Sequence, residues 1–347
     1  MRRLVIYLFS VLIITIIMPT VIVKTINFVP RENAVSGEGF DNNNREPAKI
    51  IISDQAKNNR KNLIDTIRVY NPYNDKVLEL DLEEYIKGVV SAEMPAEFHI
   101  EALKAQAIAA RTYAVSRSIK YDQEGHPDHK KAPLCIGVHC QAYLSLDELK
   151  KIHGEEWEEK YWSKISEAVE STKGILIYYQ GQIIEPLYHS TSGGMTEDVV
   201  NVYSQDLPYL KSVISPFEEE SPKFKSITTM TGDEFVNKIS ENYSNAAITL
   251  ENFYEKIKLI EKTNSGRIKK IAIGNVIIDG TKFRELFGLN STNFIIAYDK
   301  DLNIIDITTY GYGHGVGMSQ WGANGMANKG SNYLEILEHY YSGVEIR

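Results

Sequence analysis

The sequence predicts an α+β fold: a central Ala-rich helix with segregated antiparallel strands, behind a single N-terminal transmembrane helix. Three observations predict it. Residues 4–23 are almost wholly apolar and follow Arg2 and Arg3. Residues 98–120 read as a long helix whose small face holds Ala102, Ala105, Ala107, Ala109, Ala110 and Ala114. After Gly174, short apolar runs alternate with turn residues, and no strand–helix–strand repeat occurs.

The elements follow in order. A helix of about 20 residues covers the ~30 Å hydrocarbon core of a bilayer, and Arg2 and Arg3 place the tip before it in the cytoplasm. A cleaved signal peptide is the competing reading. The apolar run exceeds the usual ~7–15 residues of such a peptide, and no Ala-x-Ala site follows, so residues 1–24 are expected to remain as tip and anchor. Residues 25–62 are polar and charged and read as a disordered linker. Residues 63–347 are then an extracytoplasmic folded region with a helical lobe (63–173) and a strand-rich lobe (174–347). Strands are expected at 67–70 and 77–80 around Asn71-Pro72-Tyr73-Asn74, and helices at 82–90 and 98–120. A helix at 145–152 opens with Ser145 and Glu148 at capping-box spacing, and another covers 156–171. Hairpins are expected at 175–188 about Gln180-Gly181 and at 256–273 about Asn264-Ser265-Gly266. Strands at 276–278, 293–298 and 304–309, with helices at 282–287 and 333–341, complete the chain.

Composition excludes several classes. The net charge of −8 over 347 residues argues against a protein that wraps nucleic acid. Two cysteines exclude a disulfide framework. A mean hydropathy of −0.27 excludes a polytopic membrane protein but permits one span.

Five segments carry chemistry. In Val89-Val90-Ser91-Ala92-Glu93-Met94-Pro95 one carboxylate sits among apolar neighbours, where desolvation raises its pKa as a general acid requires. The plainer reading is a Glu that serves the next helix or caps a turn. Gln106 and Arg111 lie among small residues of that helix, where a solvated face would carry Lys and Glu. Both cysteines lie between His126 and Cys140 together with three histidines. Thiolate and imidazole are preferred zinc ligands, so His129, Cys135, His139 and Cys140 form the candidate set for a structural Zn2+, with His126 in reserve. Neighbouring strand residues face opposite ways, so His139 and Cys140 could share a metal only in a turn. A Cys135–Cys140 disulfide is the alternative, and it leaves the histidines unexplained. Two glycine-rich loops remain. One holds Tyr188, Ser190, Thr191 and Ser192 before Gly193-Gly194; the other runs from Tyr310 to Gly322 with Gly at alternate positions and His314, Ser319 and Gln320 among them. The second lacks the Gly-Lys-Ser/Thr ending of a nucleotide loop. Aromatic faces with hydroxyls and amides suit sugar rings.

Four of these, Val89 to Pro95, the helix stretch Glu101 to Ala114, Ser190 to Gly194 and Gly313 to Gly322, resemble in this order the sporulation stage II protein D family, which includes proteins described as amidase enhancers. The resemblance implies a lytic transglycosylase that cleaves the bond between MurNAc and GlcNAc in denuded peptidoglycan strands during forespore engulfment. It gives Glu93 the role of acid and then base, closing a 1,6-anhydro ring, and sets Gln106, Arg111, Ser190, Ser192, His314, Ser319 and Gln320 along the glycan groove. It also implies a septal amidase and a small polytopic membrane protein as partners, and a place in the cell membrane at the sporulation septum. The alternative is a non-catalytic glycan-binding enhancer of a cell-wall amidase.

Overall fold

The computed structural model describes residues 64–121, 124–129, 131–203 and 205–347. The expected anchor (1–24) and linker (25–62) lie outside the described residues. Among the described residues, no helix is long and apolar enough to cross a membrane.

β1 (Thr66–Asn71) and β2 (Lys76–Asp81) pair antiparallel, with Ile67 opposite Leu80. Asp81 ends β2 and caps α1 (Leu82–Glu93) by accepting the N–H groups of Glu83 and Glu84. α1 runs to Glu93, past the expected end at residue 90, and stops where Met94 turns extended ahead of Pro95. α2 (Ile100–Tyr121) is central: its six alanines are fully buried, and small side chains let neighbouring backbones come close. β3 (Leu134–Cys135) pairs parallel to β1 and seats the cysteine segment against that hairpin. α3 (Leu146–His153) has the expected Ser145–Glu148 capping box. The helix expected at 156–171 is present as an unbroken helical run over 156–170, in which a π-helical turn at Glu158–Trp162 leads into α4 (Ser163–Glu170).

β4 (Ile177–Tyr179) and β5 (Gln182–Ile183) form the first expected hairpin, but its second strand divides. The far end, β6 (Tyr188–His189), leaves the hairpin. β7 (Lys225–Thr231) and α5 (Gly232–Asn242) escape the sequence reading, because β7 is mostly Lys, Ser and Thr with half-exposed alternation. A short α6 (Phe253–Lys256) precedes β8 (Ile257–Lys262), β9 (Ile268–Ile273) and β10 (Val276–Asp279), a sheet in the order β10-β9-β8. α7 (Gly280–Phe287) leads to β11 (Phe294–Asp299) and β12 (Ile304–Tyr310), which form the sheet β11-β12-β7. β13 (Met318–Ser319), α8 (Gln320–Asn328), α9 (Tyr333–Tyr340) and β14 (Glu345–Ile346) close the chain. The α+β class holds, but not every pair is antiparallel: β1–β3 and β6–β13 run parallel.

Two apolar cores result, and they do not divide at residue 174. The first surrounds α2 and joins Val89, Leu103, Ile108 and Ile165 to Leu176, Ile177, Met318, Ile336 and Leu337. The second, from Phe235 to Ile307, fills the space between α5, α7 and the two three-stranded sheets. α2 is apolar or small around most of its circumference, so it needs cover on every side. The chain supplies that cover from α8 and α9, which follow the second core in sequence and pack directly on α2.

Candidate active site

Glu93 is the last residue of α1 and faces a cleft of ≈ 1110 Å³. The Ala142 N–H donates to its Oε1 at 2.6 Å. Burial raises the carboxyl above the usual glutamate range, against smaller opposite effects of the Ala142 N–H and the Gln320 side chain. Gln320, first in α8, also lines the cleft, and its Nε2 donates to Gln106 Oε1 at 3.5 Å. Gln106 is fully buried on α2, and its Nε2 has no partner among the described residues. A second carboxylate, Glu185, lines the cleft, but Arg117 (3.2 Å) and Lys120 (3.4 Å) hold it.

The two glycine-rich loops are one structure. Met318 and Ser319 pair in parallel with Tyr188 and His189, and Thr191 and Tyr312 exchange backbone hydrogen bonds at 3.1 and 2.7 Å. Gly311, Gly313, Gly315 and Gly317 all have positive φ (79°, 111°, 85° and 74°). At Gly317 a Cβ would lie 1.9 Å from Leu187 O, so alternation of glycine here is a demand of close backbone approach. Tyr188, Ser190 and His314 line the cleft. Tyr188 Oη donates to Gln141 Oε1 at 2.8 Å, and Gln141 Nε2 donates to Tyr85 Oη at 3.1 Å. Burial, with Arg267 and Arg284 nearby, pushes His314 down to about 4, so its imidazole is neutral at physiological pH.

Several expected groove residues are instead internal fasteners. Arg111 is fully buried and does not reach the cleft: its Nε and Nη2 grip the Glu83 carboxylate at 2.9 and 2.6 Å, and Nη2 also donates to Val169 O at 3.1 Å. Thr191, Ser192 and Ser319 are buried too. Thr191 Oγ1 is 2.8 Å from Ser221 Oγ. Ser192 and Ser319 converge on Glu218, a fully buried carboxylate that the sequence reading missed. Glu218 accepts the N–H groups of Ser192 (2.9 Å), Gly193 (3.0 Å) and Gly194 (2.9 Å), and the hydroxyls of Ser192 (2.7 Å), Ser215 (2.9 Å) and Ser319. The only sequence signal for it was a crowd of donors without an obvious acceptor.

The four residues of the candidate zinc set come together: one ligand atom from each of His129, Cys135, His139 and Cys140 lies within 4.8 Å of the others. His129 Nε2 is 3.3 Å from Cys140 Sγ, and His139 Nδ1 is 3.6 Å from it. Ligands at ~2.0–2.3 Å in a tetrahedron stand roughly 3.3–3.8 Å apart; both contacts on Cys140 match that spacing, and Cys135 Sγ to His139 Nδ1 is slightly wider at 4.0 Å, so the donor set suits a closed zinc site. Neither cysteine is in a disulfide, and the Cys140 thiol beside Cys135 holds the Cys135 thiol below the usual cysteine range. His126 stands aside with Asp128, which takes the other nitrogen of His139 at 2.9 Å.

An α+β protein with one desolvated carboxyl, Glu93, that joins no ion pair among the described residues and faces a broad cleft is the class this geometry defines. The family described as Stage II sporulation protein (SpoIID) matches residues 70–179, a span that contains Glu93, α2 and the Cys/His set. The chain is 39% identical over 282 residues to stage II sporulation protein D of Bacillus subtilis (strain 168), covering 81% of this chain and 78% of that one. It is 37% identical over 282 residues to the protein of the same name from Bacillus amyloliquefaciens, with the same shares covered. It is also 28% identical over 311 residues to the amidase enhancer of B. subtilis, covering 75% of this chain and 40% of that one. The chain belongs to the stage II sporulation protein D family.

Proposed function

We propose that this protein is a membrane-anchored lytic transglycosylase that cleaves MurNAc–GlcNAc bonds in denuded glycan strands during forespore engulfment. The observation that carries the reading is Glu93: one desolvated carboxyl, fixed by the Ala142 N–H, on the wall of a cleft wide enough for a sugar chain. Protonated Glu93 gives its proton to the glycosidic oxygen as the C1–O bond breaks. The carboxylate so formed takes the proton of the muramic C6 hydroxyl as that oxygen bonds to C1, giving the 1,6-anhydro ring without water. Hydrolysis by two free carboxylates is the contrasting route. It is disfavoured by the engagement of Glu185 with Arg117 and Lys120.

His129, Cys135, His139 and Cys140 would hold a structural Zn2+, and four protein ligands leave it no open position for catalysis. The apolar run at residues 4–23 would anchor the chain in the cell membrane, with a septal amidase and a polytopic membrane protein as partners. A second reading, a non-catalytic glycan-binding enhancer of an amidase, is favoured by the name of one relative. Mass spectrometry of products from denuded glycan separates them. The enzyme releases 1,6-anhydro ends, one water lighter than hydrolysis products, and Glu93→Gln abolishes release. No product from the protein alone, with amidase activation intact in Glu93→Gln, would establish the enhancer instead.

A further inference from the structure

The cleft carries a cation that the reaction above leaves unused. Arg117 and Lys120 are paired with Glu185. Arg284, from α7, lines the same cleft beside Tyr203, Tyr312 and His314. Its Nε donates to Leu289 O at 3.1 Å, which fixes the guanidinium plane. Among the described residues its Nη1 and Nη2 donate no hydrogen bond and it joins no ion pair. The other groups here do not answer its charge. His314 is neutral at physiological pH, and Tyr203 is held protonated by burial. Behind the loop a second guanidinium, Arg267, is almost fully buried and donates to Ser192 O (3.1 Å) and Gly313 O (3.4 Å). A half-buried arginine, held by Nε with both terminal nitrogens free of partners among the described residues, is set to grip a carboxylate in two parallel hydrogen bonds.

We propose that Arg284 is the subsite for a carboxylate on the bound strand, namely that of the 3-O-lactyl group of muramic acid. This rests on the glycan reading given above and adds the residue that would read the free acid of a denuded strand. A stem peptide makes that group an amide, which removes the charge that Arg284 would pair. The subsite therefore selects strands already cut by an amide hydrolase at the lactyl carbonyl.

The test is calorimetric binding to the full chain in detergent, in a Glu93→Gln background so that strands stay intact. Four ligands of equal length serve: a GlcNAc–MurNAc strand with free lactyl acids, the same strand with primary lactyl amides, a strand bearing stem peptides, and a GlcNAc oligomer. The expected result is about tenfold tighter binding of the acid than of the amide, in line with a charge-assisted pair. That preference should collapse towards unity with Arg284→Gln and be partly restored with Arg284→Lys. Equal binding of acid and amide by the parent overturns the subsite and leaves the glycan reading standing, with no variant needed. A preference that survives Arg284→Gln overturns the assignment to this residue. Tightest binding to peptide-bearing strands, lost in Arg284→Gln, moves the carboxylate to the stem peptide and overturns the lactyl source. Binding to none of the four overturns the glycan reading and the subsite together.

Discussion

The backbone N–H of Ala142 donates to Glu93 Oε1 at 2.6 Å, and Ala142 stands two residues after Cys140. The residue between, Gln141, is nearly fully buried and bonds both Tyr85 and Tyr188. The Cys/His cluster and the candidate acid are thus joined by one short, tightly held piece of backbone. Whatever fixes Cys140 also fixes the donor that orients the carboxyl.

Glu93 should show its environment in both rate and stability. Its carboxyl is raised, so the proton-donating form persists above the ordinary glutamate value of about 4.3 and kcat/KM should fall as pH rises through the raised value. In the folded state the proton is held more tightly than in the unfolded chain, so this group weakens stability as pH rises from the unfolded value through the folded one. Glu93→Gln should therefore be inactive yet melt higher than the parent at pH 7, with the gap closing below about pH 4. Glycan release and thermal melts across pH measure both. A lower melting temperature at pH 7 would contradict the desolvation argument.

Metal analysis should return about one zinc per chain, since four ligands close one site. Cys140→Ser should lose the metal and melt lower, because the binding energy of a structural site is folding energy. Through Ala142 it should also slow glycan release more than Cys135→Ser does at equal metal loss. Intact metal-free protein with a Cys135–Cys140 disulfide by mass would contradict the site.

Arg111 and Glu83 form a buried pair inside the first core. Arg111→Ala leaves the carboxylate unpaired and should cost about 3–5 kcal/mol, enough to unfold a marginal domain. Arg111→Met with Glu83→Leu should recover most of that loss. Urea melts give both values, and a large KM change with little loss of stability would return Arg111 to the groove.

Glu218 should behave as a keystone of the joined loops. Glu218→Gln turns an amide NH2 towards a ring of donors, so at least one buried N–H or hydroxyl loses its acceptor, at about 1–3 kcal/mol each. Because Ser319 precedes Gln320, activity should fall with stability. Hydrogen exchange at Gly193 and Gly194 would report the loosened loop.

Local features were legible in the sequence and distant ones were not. The Ser145–Glu148 box, the β1–β2 pair and the Ala-rich helix depend on neighbours a few residues away, and they stand close to where they were expected. The Cys/His set was readable for the same reason: its donors fall in one short stretch. Arg111, Ser192 and Ser319 were recognised as polar residues with a task, but their partners lie far along the chain. A sequence cannot say whether such a residue waits for a ligand or for its own Glu83 or Glu218. The lobe boundary failed similarly, since helices beyond the second core cover α2. β7 stayed hidden because little of its face is apolar.

The first core draws on both ends of the folded region, with the second core inserted between them. During synthesis, α2 therefore emerges long before α8 and α9 exist to cover it, and contacts over such separations form slowly. Gln320, which touches both Glu93 and Gln106, arrives with that late segment. A nascent or clipped chain ending before residue 316 lacks one wall of the cleft and the lid over its central helix. Every incomplete copy therefore lacks an assembled cleft around Glu93.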